Sequence, residues 1–309
     1  MKISTLYDFT NKISNPNVSK IFYKINKLLV NILYPKIVKP VNGVDNSSNI
    51  IVSLTTYPAR INTVWITIMT ILHQTVKPKK ILLWLAKEQF PNREKELPSK
   101  LLELKPYGLK IKFCDNLYPH KKYYYTMLEH PQATIITVDD DVFYPEYLIE
   151  TLIKTSKKYP NAICCTWTHR IKLDKMGNIK NYVDWEHGIT KMDSPELLAM
   201  PVGIGGVLYP PNSLYTCVFD KDQIKSLALM TDDLWLKAME VLNNTPVMKI
   251  SKTYYRTYFT LLNTKNNGLH INNIGSNRND ETINKILKQY PQIKRKLMEA
   301  QNEFQIKKK

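Results

Sequence analysis

From residue 50 onward, short apolar runs alternate with stretches whose apolar positions recur every three or four residues. IIVSL (50–54), KILLWL (80–85) and ATIITV (133–138) are nearly continuous in apolar or small residues, as strands of a parallel sheet covered on both faces are, and LKIKF (109–113) reads as a further strand. INTVWITIMTILHQT (61–75) instead carries Ile61, Trp65, Ile68 and Leu72 at helical spacing, and KKYYYTMLEH (121–130) reads as a second helix. Pro145 suits the first turn of a helix running to Tyr159, with Leu148 and Leu152 toward the sheet. NAICCTW (161–167), VLYP after Gly206 and residues 246–250 read as further strands, with helices over 220–229 and 232–242. Residues 170–200 follow neither period and read as a substrate-side loop rather than core. Repeated strand–helix units of this length predict an α/β fold with a mostly parallel sheet covered by helices.

Composition narrows the class of partner. The 309 residues are 43% hydrophobic and 23% charged, which suits one large core or two joined ones. The 44 Lys and Arg against 27 Asp and Glu give a net charge of +17, favouring nucleic acid, an anionic membrane or a phosphate-bearing small molecule. No helix-turn-helix, zinc-finger or RNA-recognition signature is present, so no specific nucleic acid is expected, although a non-catalytic basic nucleic-acid binder stays an alternative. Cys114, Cys164, Cys165 and Cys217 match neither zinc-site spacing nor a disulfide framework, and a reducing, cytoplasmic setting is the simpler expectation. The order of a signal peptide is missing at the start, and no apolar run reaches the roughly 18 residues that span a bilayer.

The segment 19–40 mixes apolar residues with five lysines and no acid. It suits a helix lying on an anionic leaflet, or equally a helix packed across the domain with solvated lysines. NGVDNSS (42–48) reads as a linker, and residues 289–309 again mix basic and apolar positions. The expected division is a basic N-terminal segment with linker over 1–48, a main domain over 49–280 and a basic helix or tail over 281–309, with peripheral contact at the cytoplasmic face of the inner membrane.

Against this positive charge stands IITVDDDVFYP (135–145), in which three aspartates follow a buried strand. Strand ends of an open α/β sheet deliver ligands' contacts to the crevice edge. If the chain stays extended, Asp139 and Asp141 project to one side and Asp140 to the other. Carboxylates converging on one point repel unless a cation lies between them, which points to Mg²⁺ or Mn²⁺ completed by water and phosphate oxygens. A hydrophilic loop with an Asp cap is the plain alternative. Arg60, in TTYPAR after the first strand, offers a planar donor set suited to phosphate.

The order LTTYPARI, ILLWL, KFCDN, PHKKYYY, VDDDVFYP, GIGGVLYPP and TDDLW resembles the nucleotide-sugar glycosyltransferases of the GT-A fold, in particular bacterial family 2-like proteins of surface polysaccharide and lipopolysaccharide assembly. The resemblance covers residues 50–280 and implies a GT-A type, Rossmann-like sheet. It also implies metal-dependent transfer of a sugar from a nucleotide diphosphate sugar, a UDP-sugar by expectation, to a hydroxyl of a glycan or lipid-linked glycan, with inversion, or with retention if the acidic TDDLW motif is only a helix cap. Nucleotidyl transfer, which also uses paired acids and a divalent ion, is the enzymatic alternative. By resemblance, Asp139 and Asp141 form the Asp-x-Asp pair, and His270 is the third metal ligand, with His169 and His187 as competitors. Thr55, Tyr57, Arg60, Asp115, Lys121, Lys122, Asp140 and Arg278 stand among the nucleotide contacts. Asp232 or Asp233 of TDDLW would be the base, Asp233 preferred, although two acids after Thr231 also make an ordinary helix start.

Overall fold

The computed structural model describes residues 2–250, 258–262 and 277–308. In chain order the elements that matter here are α1 (Ile3–Lys12), α2 (Pro16–Ile37), β1 (Ile50–Thr55), α3 (Val64–Leu72), β2 (Lys80–Ala86), β3 (Leu109–Cys114), α4 (Lys121–Glu129), β4 (Thr134–Thr137), α5 (Leu148–Lys158), β5 (Ile163–Cys165), β6 (Thr168–Arg170), β7 (Ala199–Pro201), β8 (Val207–Tyr209), α6 (Asp232–Leu242), β9 (Val247–Lys249), α7 (Arg278–Gln289) and α8 (Gln292–Lys308).

Seven strands form one sheet in the order β3-β2-β1-β4-β8-β5-β9. Neighbours run parallel except at β8, which pairs antiparallel with both β4 and β5. The expected α/β fold with a mostly parallel central sheet flanked by helices is therefore what is observed. β1 is an interior strand, between β2 and β4, with Ile51, Val52, Ser53 and Leu54 buried, which is why its apolar run shows no alternation. Among the described residues no helix is long and apolar enough to cross a membrane. The four cysteines carry no disulfide, and Cys114, Cys164 and Cys165 are buried.

The irregular excursion between β5 and β8 departs from expectation. β6 and β7 pair into a two-stranded sheet, and Arg170 on β6 holds Glu186 and Glu196 by ion pairs of 2.5 and 2.7 Å. Ile171, Leu173, Trp185, Ile189 and Leu198 are buried, so much of this segment is core. Their spacing is set by packing against other elements rather than by a local repeat, so neither helical nor strand periodicity shows it.

Both ends of the chain dock on the main body. Ile3, Tyr7, Val30 and Tyr34 of α1 and α2 belong to the same core as β1 and α3. The first amides of α1, Ile3 and Ser4, donate to the Glu146 carboxylate at 2.7 and 2.8 Å, which satisfies helix-end donors that nothing in α1 can. The 42–48 stretch is tied down by Gly43 N to Tyr107 O and Asp45 N to Pro78 O. At the other end, Ile286 of α7 and Ile293 and Leu297 of α8 pack in the second core with α6.

Candidate functional site

The site forms where β1 and β4 end. β4 stops at Thr137, and the chain turns at Asp140 and Asp141 instead of staying extended. The expected alternation is thereby corrected: Asp140 and Asp141 share one guanidinium, with Arg60 Nη1 at 2.6 and 3.2 Å, while Asp139 faces Lys122 Nζ at 3.0 Å. Asp140 also accepts from Thr56 Oγ1 at 2.5 Å and is buried, so its carboxylate fastens the loop after β1 to the turn after β4. Burial pulls the Arg60 pKa down, but Asp140 and Asp141 outweigh it and hold the guanidinium firmly charged. Burial likewise raises the Asp140 carboxyl despite Arg60 and Thr56.

Three polar residues on one face of α3 and just beyond it grip this turn. Thr67 Oγ1 donates to Asp140 O at 3.0 Å, Tyr144 N donates to Thr70 Oγ1 at 3.3 Å, and Gln74 binds Pro145 O and Ile149 N at 2.8 and 3.0 Å. Their spacing of three and four places them in one row down the helix. These positions were missed in the sequence. Their signal was polar residues at helical intervals inside an otherwise apolar stretch.

Lys122 is placed by its own helix. One turn further along α4, Thr126 meets Ser53 of β1 through a 2.6 Å hydroxyl pair, so the same face presents Lys122 beyond the strand end. There its ammonium lies 3.0 Å from Asp139 and 2.8 Å from Asp232. Burial lowers the Lys122 pKa, and Asp139, Asp232 and Asp233 more than offset this, so it stays protonated. His120 is buried with both ring nitrogens engaged, by Tyr123 OH and Ala228 O, and burial pushes it down to about 4.

Asp232 and Asp233 stand in the first turn of α6, where the helix dipole favours carboxylates. Thr231 makes no side-chain cap bond; its hydroxyl donates to Ala228 O and Thr282. Burial would raise Asp232, but Lys122 and then His120 lower it below the usual range. Asp233 is pushed up to about 7, by desolvation and then by Asp232, against the pull of Lys122. Gly203 N donates to Asp233 Oδ2 at 3.3 Å. A Cβ on Gly203 would meet Lys122 Nζ at 2.8 Å, Asp233 Oδ1 at 3.2 Å and Asp139 Oδ1 at 3.3 Å, so the three groups close tightly on this buried glycine and leave no room there for a side chain. Tyr144 OH closes the arrangement, accepting from Asp139 N at 2.9 Å and donating to Ile204 O at 3.0 Å.

Other expected residues lie differently. Thr55 donates to Trp84 O at 2.8 Å, and the Tyr57 ring lies 5.6 Å from the Arg60 guanidinium carbon. Asp115 is exposed and paired with Lys221 at 2.9 Å, away from the acid cluster's own partners. Lys121 is buried and donates to Asn116 Oδ1 at 3.0 Å; burial lowers it to about 8. His169 and His187 face each other with ring centroids 4.4 Å apart, His169 accepting from Gly188 N and His187 contacting Tyr182 O. Arg278 opens α7 rather than sitting in a loop, and Asp280, two residues on, accepts from Tyr182 N at 2.7 Å. Burial raises the Tyr182 hydroxyl above its usual range, and the Asp233 charge adds to it. His270 lies outside the described residues. A cleft of about 300 Å³, lined by Glu196, Asn244, Lys296 and Phe304 among others, lies elsewhere, against α8.

Among the described residues no group of three His, Cys, Asp or Glu side chains is arranged to hold an ion. The setting is nonetheless rich in carboxylates of the kind a divalent cation takes: Asp139, Asp140, Asp141 and Asp232 pair with Arg60 or Lys122, and burial and then the Asp232 charge push Asp233 up to about 7. Asp139 and Asp141 are the partly exposed members and the ones able to offer oxygens to an ion that keeps water and phosphate ligands.

No family model matches the chain, and no curated protein does either. Among solved structures, it is similar to CMP:2-keto-3-deoxy-manno-octonic acid synthetase complexed with CTP, at 10% identity over 66% of this chain and 90% of that one, with a TM-score of 0.34. The expectation of a glycosyltransferase is corrected here: the structure matched is a synthetase, and no glycosyltransferase family is found. The physical reason is that acids at a strand end, with cations around them, serve many reactions at phosphate, so motif order reads out a fold and not a reaction. A likeness this distant does not by itself assign another activity to the chain.

Proposed function

We propose that the protein is a nucleotidyltransferase that takes a nucleoside triphosphate at the carboxyl edge of its sheet and transfers the nucleotidyl group to an oxygen of a sugar acceptor. The observation that supports it is the convergence of Lys122, Asp139 and Asp233 around Gly203 at the sheet's carboxyl edge, with Arg60 held beside Asp141. In this reading an acceptor oxygen attacks the α-phosphorus, a new P–O bond forms, the α–β anhydride breaks and pyrophosphate leaves. Asp233, poised near neutrality, takes the acceptor proton when the acceptor is a hydroxyl. Arg60 and Lys122 orient phosphate oxygens and offset their charge. A divalent ion held by Asp139 and Asp141 would supply further neutralisation of phosphate charge.

The test is a panel of nucleoside triphosphates with Mg²⁺ or Mn²⁺ and sugar acceptors, scored for pyrophosphate release and for thermal stabilisation of the protein. One base should raise Tm only with the ion present, and Asp141→Asn should weaken that binding at least tenfold, about 1.4 kcal/mol. Absence of triphosphate binding under every ion condition refutes the proposal, as does binding without any pyrophosphate formed across the acceptor panel.

A further inference from the structure

Helix α2 is apolar on two opposite faces. Val30 and Tyr34 turn inward to the core together with Asn26, which donates to Thr10. On the other side Ile21, Ile25, Leu28, Leu29, Ile32 and Leu33 stand 39 to 57% exposed, spaced by threes, fours and single steps over residues 21–33, a stripe about 18 Å long. Scattered exposed apolar residues are ordinary on a protein surface; a contiguous stripe of this length marks an interaction surface. Lys20 and Lys24 are exposed on the same helix and Lys36 stands in its last turn, whereas Pro16–Ile37 contains no acidic residue. Lys27 is turned inward to Thr260 Oγ1 at 2.6 Å.

We infer that this face docks the protein on an anionic lipid bilayer, with α2 lying in the interfacial plane. Charge chooses the occupant: a second copy would set lysines against lysines with no acid on either α2, while an anionic surface complements both the lysines and the net charge of +17. The helix lies on the bilayer rather than across it, because its other face is already buried in the protein and no described helix is fit to span. The orientation is firm: Tyr23 OH donates to Tyr258 O at 2.8 Å, and Asn31 binds Thr260 O and Leu262 N at 3.2 and 2.9 Å. The same short segment pairs with the acid turn through Phe143 N to Phe259 O and Leu261 N to Asp141 O. Docking is independent of the reaction proposed above, so either can fail without the other.

The test is co-sedimentation of the full chain with vesicles of phosphatidylcholine alone and of phosphatidylcholine mixed with phosphatidylglycerol, at low and high salt, with light scattering for oligomeric state. Binding to the anionic vesicles is expected, weakening with salt. Combining Ile21→Ser, Ile25→Ser, Leu28→Ser and Ile32→Ser should lower partitioning at least about tenfold while a cooperative thermal transition is kept, since the core face of α2 with Val30 and Tyr34 is untouched. A second variant, Lys20→Gln with Lys24→Gln, should cost about fivefold per lysine on anionic vesicles and nothing on neutral ones. No binding to anionic vesicles, binding indifferent to the serine changes, or a dimer that the serine changes dissolve without any vesicle binding would each overturn the inference.

Discussion

Asp233 carries the sharpest prediction at the scale of single residues. Its folded pKa lies above the ordinary 3.8, so between 3.8 and about 7 the folded state holds a proton that the unfolded chain has lost. Stability therefore falls as pH rises through this window, by at most about 1.4 kcal/mol per pH unit. Asp233→Asn should flatten that slope in urea titrations followed across pH, relative to the parent protein. Glu240, also raised to about 7 by burial, titrates equally in both and cancels from the difference. Gly203→Ala tests this convergence. Its backbone needs no unusual conformation, but the Lys122 ammonium, pinned between Asp139 and Asp232, has to give way to the added methyl group, so a loss of about 1–3 kcal/mol in a still cooperative urea transition is expected. Ion-dependent nucleotide binding should also drop at least tenfold, about 1.4 kcal/mol, because the methyl group displaces Lys122 from its place beside Asp139. Unchanged binding in Gly203→Ala would show that Lys122 does not hold phosphate from this position.

Between elements, the site depends on hydroxyl and amide bridges that tie the β4 turn to its neighbours. Tyr144 joins the turn to the glycine segment before β8, and Tyr144→Phe leaves both Asp139 N and Ile204 O without that partner. A loss of about 1–3 kcal/mol is expected from chemical denaturation, together with faster amide exchange at Asp139. Exchange unchanged there would mean that the α3 grip through Thr67, Thr70 and Gln74 holds the turn unaided. The glycines nearby differ in purpose. Gly206 has φ of 86°, and Gly205 has Thr166 Oγ1 where a Cβ would come within 2.1 Å, so both serve the entry into β8, whereas Gly203 serves the site. The strands and most helices were legible because burial on both faces of β1 and one face of α5 writes a local period into the chain. The reversal of β8, the core role of Trp185 and the helical placement of Arg278 were not, because each depends on a partner distant in sequence.

Over the whole molecule, the N-terminal helices belong to the structure that holds the acid turn. Tyr7 on α1 donates to Phe143 O at 2.9 Å and accepts from Phe259 N at 2.6 Å, and its ring stacks on Phe259 at 4.2 Å. Tyr7→Ala should cost about 3–5 kcal/mol, the range for removing a buried aromatic side chain, read as a lower urea midpoint. A variant with an unshifted midpoint would make α1 an ornament on a self-sufficient main domain. The same reasoning explains why a positively charged chain tolerates its acid cluster. Inside the site Arg60 and Lys122 pair with Asp139, Asp140, Asp141 and Asp232, and burial helps Asp233 keep its proton to about pH 7.

Alternating periods determined the layered α/β plan, because a strand or helix face repeats at fixed intervals whatever it packs against. Runs such as VDDDV and TDDLW likewise announced two concentrations of acid in the chain itself. Only the folded arrangement decided that Asp140 grips Arg60, that Lys122 rather than Lys121 enters the cluster, and that the two acidic runs meet at Gly203. Electrostatic partnership depends on distance in space, and residues 60, 122, 139, 203 and 233 become neighbours only when the strands and helices that carry them are packed together.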